Sequence, residues 1–331
     1  MERRRAAPLV AVALALLALL FVAALLLGTE PISVARALGD PVSLDRTLVV
    51  QIRLPRVLLA AVSGAGLAIV GASFQALLKN PLAEPYVLGV SGGAAVGATL
   101  VLAAGLASAP LVGAALVPFA AFVGGLVATW LVYGVARGAP AGSGGTSILL
   151  AGVMVNAVAS ALITFVKTLV SPSRAQSLLR WLTGFVDLPT PASLAVVTAA
   201  VGAGAATLLW DAGRLNLLAL GDEAAATLGV DVRRLERRVF FASSCIVGAI
   251  VSLTGLIGFV GLLVPHVLRR FLGPDHRTLL PLSLVGGAAV LVGCDLGARL
   301  AFRWLGTEPP VGAITALVGG PLFLVLLRRR K

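Results

Sequence analysis

The chain has 331 residues, of which 59% are hydrophobic and only 12% charged, with a mean hydropathy of +1.02, whereas a soluble domain carries about a quarter charged residues. That excludes a soluble globular protein, and long unbroken apolar runs exclude a transmembrane β-barrel, whose strands alternate over short segments. The net charge of +12 is spread over several loops rather than along one face, which argues against a nucleic-acid partner.

Apolar windows of about 20 residues, long enough to cross a bilayer as helices, recur along the chain. Arg3, Arg4 and Arg5 precede the first, Pro8–Leu27. It exceeds the ~7–15 residues of a signal-peptide core and lacks a small-residue cleavage site, so it reads as a retained helix with a cytosolic N-terminus. The expected spans are 8–28, 57–78, 86–106, 111–134, 147–169, 192–210, 238–258, 259–272, 278–302 and 311–327. The eighth is too short to cross in full and reads as a half-span, tolerable only among other helices. Abundant glycine (38 residues) predicts close helix packing.

Arg53 and Arg56 stand at the outer start of the second span, either as interfacial cations or as a docking feature. Pro81 and Pro85 then break the helical pattern, and Gly93 and Gly97 permit close approach of the next helix. This segment reads as architecture rather than as ligand contact. The loop Gly138–Ser147 (GAPAGSGGTS) joins the fourth and fifth spans on the cytosolic side, as a surface turn or a pore mouth. Asn156, Ser160 and Thr164 recur every four residues on one face, to line a path or to bond neighbouring helices. Ser173–Val186 is amphipathic, with Trp181 as an interfacial anchor.

Between Asp211 and Arg238 the chain turns polar, with five arginines and five acids. Two short helices are expected. Asp222 is the N-cap of the first, Glu223 lies in its first turn, and Gly229 ends it at C′. Asp231 caps the second, Val232–Arg238, which runs into the next span with Arg233, Arg234, Arg237 and Arg238 as inner-face anchors. The island is either an ordinary cytosolic linker or an element that transmits a partner's motion. Toward the outer end of the ninth span, Asp295 and Arg299 are spaced to pair. An even number of crossings puts both termini in the cytosol and 17 of the 26 cationic residues with them, as the positive-inside rule requires.

Cys245 and Cys294 lie in apolar runs and read as small hydrophobes. No lysine follows a glycine, so there is no phosphate-cradling loop, and two histidines are too few for a histidine metal site. No metal or cofactor is expected in this chain. The absence of an unpaired carboxylate at mid-span argues against a stand-alone secondary carrier or channel, the alternative of a different class.

Glu223, Ala224, Ala225 and Gly229 resemble the EAA…G loop of ATP-binding-cassette importer permeases. Arg53–Arg56 (RLPR), Gly64–Ala98 (with NPLAEPYVLGVSGGAA), Gly255–Pro281 (GLIGFVGLLVPHVLRRFLGPDHRTLLP), Asp295–Arg299, Glu308–Gly312 (EPPVG) and Gly319–Phe323 (GGPLF) follow in order. Together they resemble the FecCD/BtuC-like permease family. The resemblance implies an all-α polytopic membrane protein of about ten helices, one domain over 1–331 with 211–238 as its cytosolic coupling segment. It implies a homodimer in the bacterial or archaeal cytoplasmic membrane, two ATPase subunits below and a periplasmic or lipid-anchored binding protein above. The chain itself would not be an enzyme. Asp222, Glu223, Ala224, Ala225 and Gly229 would couple to the ATPase. Arg53, Arg56 and Arg299 would dock the binding protein. Ser143, Thr146 and Ser147 would form the gate, with Asn156, Ser160 and Thr164 along the path. The substrate would be a metal chelate, a ferric siderophore first, with cobalamin or haem as alternatives.

Overall fold

The computed structural model describes residues 2–108, 113–137 and 144–328, and among them every regular element is helical. In chain order these are α1 (Glu2–Leu26), α2 (Val34–Gly39), α3 (Leu44–Thr47), a π-helical turn (Leu48–Arg53), α4 (Leu54–Leu77), a 3-10 turn (Pro85–Leu88), α5 (Val90–Ala103), α6 (Gly113–Arg137), α7 (Gly144–Leu169), α8 (Pro172–Thr183), α9 (Pro191–Trp210), α10 (Ala212–Leu218), α11 (Asp222–Thr227), α12 (Val232–Thr254), α13 (Val260–Leu272), α14 (His276–Leu305) and α15 (Val311–Arg328). A further short 3-10 turn, Leu106–Ser108, follows α5. The expected spans fall on α1, α4, α5, α6, α7, α9, α12, α13, α14 and α15. Among the described residues, six helical stretches are long and apolar enough by themselves to cross a bilayer. At 13 residues, α13 is about 20 Å long, short of the ~30 Å hydrocarbon core.

Boundaries differ from expectation where the apolar pattern stops before the helix does. Residues 44–77 are continuously helical through the π-turn, so the second span starts upstream of residue 57. α12, by contrast, begins at Val232 as expected, with its charged first turns outside the apolar segment. Gly144–Ser147 belong to the first turn of α7 rather than to a loop.

The centre of the bundle is α4, most of whose side chains are buried. It packs on α14 through glycine: a Cβ on Gly64 would fall on the carbonyl of Gly287, and one on Gly287 on that of Gly64. α5 meets α6 in the same way through Gly93 and Gly124, and through Gly97 against Ala120. In lipid, where burying hydrocarbon between helices gains little, such close backbone approach supplies the contact.

Helix is interrupted between α12 and α13, over 255–259, where Phe259 adopts a left-handed φ of 69°. Backbone groups freed inside a membrane must be satisfied by the protein. Here Phe185 N donates to Thr254 O (2.9 Å), Ile257 N donates to the Tyr86 hydroxyl (2.7 Å), and Phe259 N donates to Glu84 Oε1.

Candidate functional site

The polar island folds as a platform with a projecting helix. The platform is α10, which the sequence reading missed. Its Leu215 and Leu218 are fully buried, one helical turn apart, and that spacing was its available signal. Asp211, also fully buried, accepts from Arg214 (2.5 Å) and Arg238 (2.8 Å) and so ties the end of α9 to the start of α12. Arg238 is thus an internal clamp rather than an inner-face anchor, because a buried carboxylate must be paired. Asn216 Nδ2 donates to Asp275 (2.6 Å), and its Oδ1 accepts from His276 N (2.8 Å), which pins α10 to the start of α14. Burial works against the Asp275 carboxylate, but hydrogen bonds from Arg277 N and Asn216, with the Arg277 charge, hold its pKa below the ordinary value.

The projecting helix is α11. Its N-cap is Gly221, with φ at 115°, so Asp222 is the first helical residue rather than the cap. That frees the Asp222 carboxylate to pair with Lys79 Nζ at 2.7 Å. The other end follows the expected pattern. Gly229 takes φ 86°, its N–H donates to Ala226 O (3.0 Å), and Val230 N donates to Ala225 O (3.0 Å). These two bonds define a Schellman motif, and the residues at its apolar-contact positions, Ala225 and Val230, are both buried. Asp231 caps α12 through Arg234 N (3.0 Å), as expected. Ala225 roots the helix, Ala224 is half-buried, and Glu223, Ala226, Thr227, Leu228 and Gly229 face outward. Leu220 and Leu228, at 66% and 58% exposure, flank it with apolar surface.

Opposite charge chemistry governs the other end of the bundle. Arg53 is 6% exposed and donates to Leu25 O (3.0 Å), Leu26 O (2.8 Å) and Glu30 O. Arg299, 4% exposed, donates to Ala24 O (2.9 Å), and Arg303 to Gly28 O (3.0 Å). Two guanidiniums, those of Arg53 and Arg299, therefore cap the orphan carbonyls at the C-terminus of α1, where the helix dipole also favours cations, and Arg303 holds the chain just beyond it. Arg56 reaches one oxygen of the fully buried Asp295 (2.8 and 2.9 Å) and also Glu308, while the other Asp295 oxygen lies 3.0 Å from Arg299 Nε. For Arg299 the expected pairing with Asp295 holds, while Arg53, expected at the outer face, turns inward because a helix end needs it. Arg56 is the most accessible of the three, its side chain 16% exposed. The cluster lines a cavity of about 90 Å³ with Gly28, Thr29 and Leu48.

Residues 16–329 match the FecCD transport family. The chain belongs to that family. It is 43% identical over 289 residues to the cobalamin import system permease protein BtuC of Halobacterium salinarum, covering 86% of this chain and 74% of that one. It is 38% identical to the hemin transport system permease protein HmuU of Yersinia pestis (85% and 83% covered), and 36% identical to the Fe(3+) dicitrate transport system permease protein FecC of Escherichia coli (88% and 86%). The fold matches a solved metal-chelate type ABC transporter in an inward-facing conformation, with a TM-score of 0.86 at 30% identity over 97% of this chain and 99% of that one. This FecCD protein is a multi-pass permease subunit of the ABC-importer class and is not itself an enzyme.

Within the FecCD fold the remaining candidates separate. Ser143 lies outside the described residues, Thr146 is exposed, and Ser147 is half-buried in the first turn of α7. Ser160 and Thr164 lie exposed on α7, the Thr164 hydroxyl donating to Ser160 O at 2.8 Å. Asn156 is engaged instead: its Nδ2 donates to Tyr86 O at 2.8 Å, against the broken segment before α5. Among the described residues there is no group of three or more His, Cys, Asp or Glu placed to hold a metal. Sequence reasoning also passed over Lys79, Leu220 and Leu228. Leu228 had a signal, as a leucine closing a short polar helix; Leu220, at the end of the run Leu215–Leu220, had none.

Proposed function

We propose that two copies of this chain form the membrane path of an importer driven by two separate ATPase subunits at α11 and supplied by an external binding protein. In this reading residues 1–331 form one transmembrane domain, both termini are cytosolic, the membrane is the cytoplasmic one, and the chain carries no cofactor of its own. The observation that carries it is α11: a helix rooted by Ala225, locked by its Schellman end and flanked by exposed Leu220 and Leu228. Exposed apolar side chains on a rigid helix outside the apolar core favour a protein partner. Glu223 and Gly229 are exposed for contact, while Asp222, Ala224 and Ala225 fix the pose. Arg56 offers the accessible outer charge for docking, with Arg53 and Arg299 holding the ground behind it. Ser143, Thr146 and Ser147 stand at the gate, and Asn156, Ser160 and Thr164 along α7.

The cargo is a metal chelate. The ferric siderophore and haem readings stand, but the 43% identity to a cobalamin permease, against 36% to a ferric dicitrate permease, makes a corrinoid the first to test. The experiment is ATPase stimulation and uptake in proteoliposomes holding the permease, its ATPase and its binding protein, titrated with cobalamin, haem and a ferric siderophore. Stimulation by one chelate is expected. Uptake driven by an ion gradient without ATP would overturn the reading.

A further inference from the structure

Lys79 has an unusual backbone. It is one of two non-glycine residues with positive φ among those described, at 49°; Phe259 is the other. Lys79 stands at C′ of α4, with Lys79 N donating to Ala76 O (3.2 Å) and Asn80 N to Gln75 O (3.1 Å). This is the same Schellman pattern that ends α11, where glycine fills the position at no steric cost. A lysine there gives up backbone comfort, and what the position gains is the ammonium's contact with Asp222 on α11. Glu236 of α12 also lies within electrostatic reach of both groups.

The chain beyond Lys79 is stiff. Asn80 accepts from Leu82 N at 2.9 Å through its side chain and from Ala83 N at 3.0 Å through its carbonyl, and Pro81 and Pro85 fix two further φ angles. Its far end makes three long-range bonds. Glu84 accepts from Phe259 N, the Tyr86 hydroxyl accepts from Ile257 N (2.7 Å), and Tyr86 O accepts from Asn156 on α7 (2.8 Å). Residues 79–86 therefore bridge α11 to the break between α12 and α13 and to α7.

We infer that Lys79–Tyr86 is a strut that carries displacement of α11 to the α12–α13 break and to α7, with Lys79 as its positioning residue. This rests on α11 being the ATPase contact. The Lys79–Asp222 pair is exposed on both sides (40% and 45% of the side chains), so its loss costs little stability. It changes instead whether α11 and the strut move together.

The test uses the assembled transporter in proteoliposomes and reads chelate transported per ATP hydrolysed. Lys79→Gly fits the left-handed position better than lysine, so thermal stability holds or rises while the transport-to-ATP ratio falls by about fivefold, the lower range of coupling between linked sites. The exchange Lys79→Asp with Asp222→Lys restores the ratio, since Asp also tolerates this backbone. Glu84→Ala, which removes the acceptor of Phe259 N, lowers the ratio too, and combined with Lys79→Gly the losses are less than additive, as expected for one mechanical element. Leu228→Asp is the control arm for the reading beneath. Loss of ATPase association on Leu228→Asp with a normal ratio in the Lys79 and Glu84 variants overturns the strut and keeps α11 as the contact. Normal association on Leu228→Asp overturns the contact itself. A Lys79→Gly protein with lowered stability and no rescue by the exchange overturns the strut in favour of a merely local role.

Discussion

The two charged ends of this bundle look alike in sequence and behave differently in space. At one end, the outer one in the proposed orientation, Arg53, Arg56 and Arg299 bond the protein itself, at α1 carbonyls and at Asp295. At the other, the inner one in that orientation, charge is divided between a buried clamp, Asp211 with Arg238, and an open face on α11. Helix ends explain the contrast. Gly28 follows α1 but does not take the left-handed φ of a Schellman end, so other helices supply donors. α11 finishes with Gly229 and satisfies its carbonyls locally, which leaves its surface uncommitted. A charged residue near a membrane surface is thus a docking candidate only after the backbone groups around it have been accounted for.

The strongest way to break the comparison is at Asp295. Asp295→Ala leaves Arg56 and Arg299 without their buried carboxylate, and breaking a buried pair from one side costs about 3–5 kcal/mol. The expected outcome is a large fall in thermal stability of the purified permease in detergent, with loss of α1 protection in hydrogen exchange. An unchanged melting profile with selective loss of binding-protein association would show that the outer cluster serves docking after all, and the contrast with the inner end would vanish.

Gly229 tests the inner end. At φ 86° an alanine is strained by about 1 kcal/mol, and no neighbouring atom lies within reach of the added Cβ. Gly229→Ala should therefore lower global stability slightly but loosen the end of α11, so ATPase stimulation by the loaded binding protein falls more than the melting temperature does. If melting temperature and stimulation decline in proportion, α11 is a structural linker and not an exposed contact.

Much of this arrangement was legible before any coordinates. Apolar runs gave ten segments, Gly229 and Asp231 gave the inner caps, and Gly93 and Gly97 gave a close helix contact, because each depends on residues near one another in the chain. What was illegible depends on separation. Arg56 meets Asp295 across 239 positions, and Lys79 meets Asp222 across 143. No periodicity relates such residues, and a cation at a helix end looks the same whether it faces solvent or a neighbour's carbonyl. The Asp222 cap was misplaced by one residue because Gly221, at φ 115°, took that position and left the carboxylate for Lys79.

The smallest expected effect concerns the platform under α11. Asp275 accepts from Asn216 of α10 and from Arg277 N, and its pKa is depressed in the folded protein. A depressed carboxylate contributes stability above its unfolded pKa of about 4, and that contribution is lost as pH falls through the lower folded value. Asp275→Asn keeps the side-chain oxygen that accepts from Arg277 N but removes the charge, so it should melt slightly below the parent at neutral pH, with the gap closing in acid below about pH 4. Closure matters more than the size of the gap. A gap that persists in acid would mean that shape and hydrogen bonding alone hold α10 to α14, and the inner end would then owe its rigidity to packing, with charge reserved for the exposed contacts of α11.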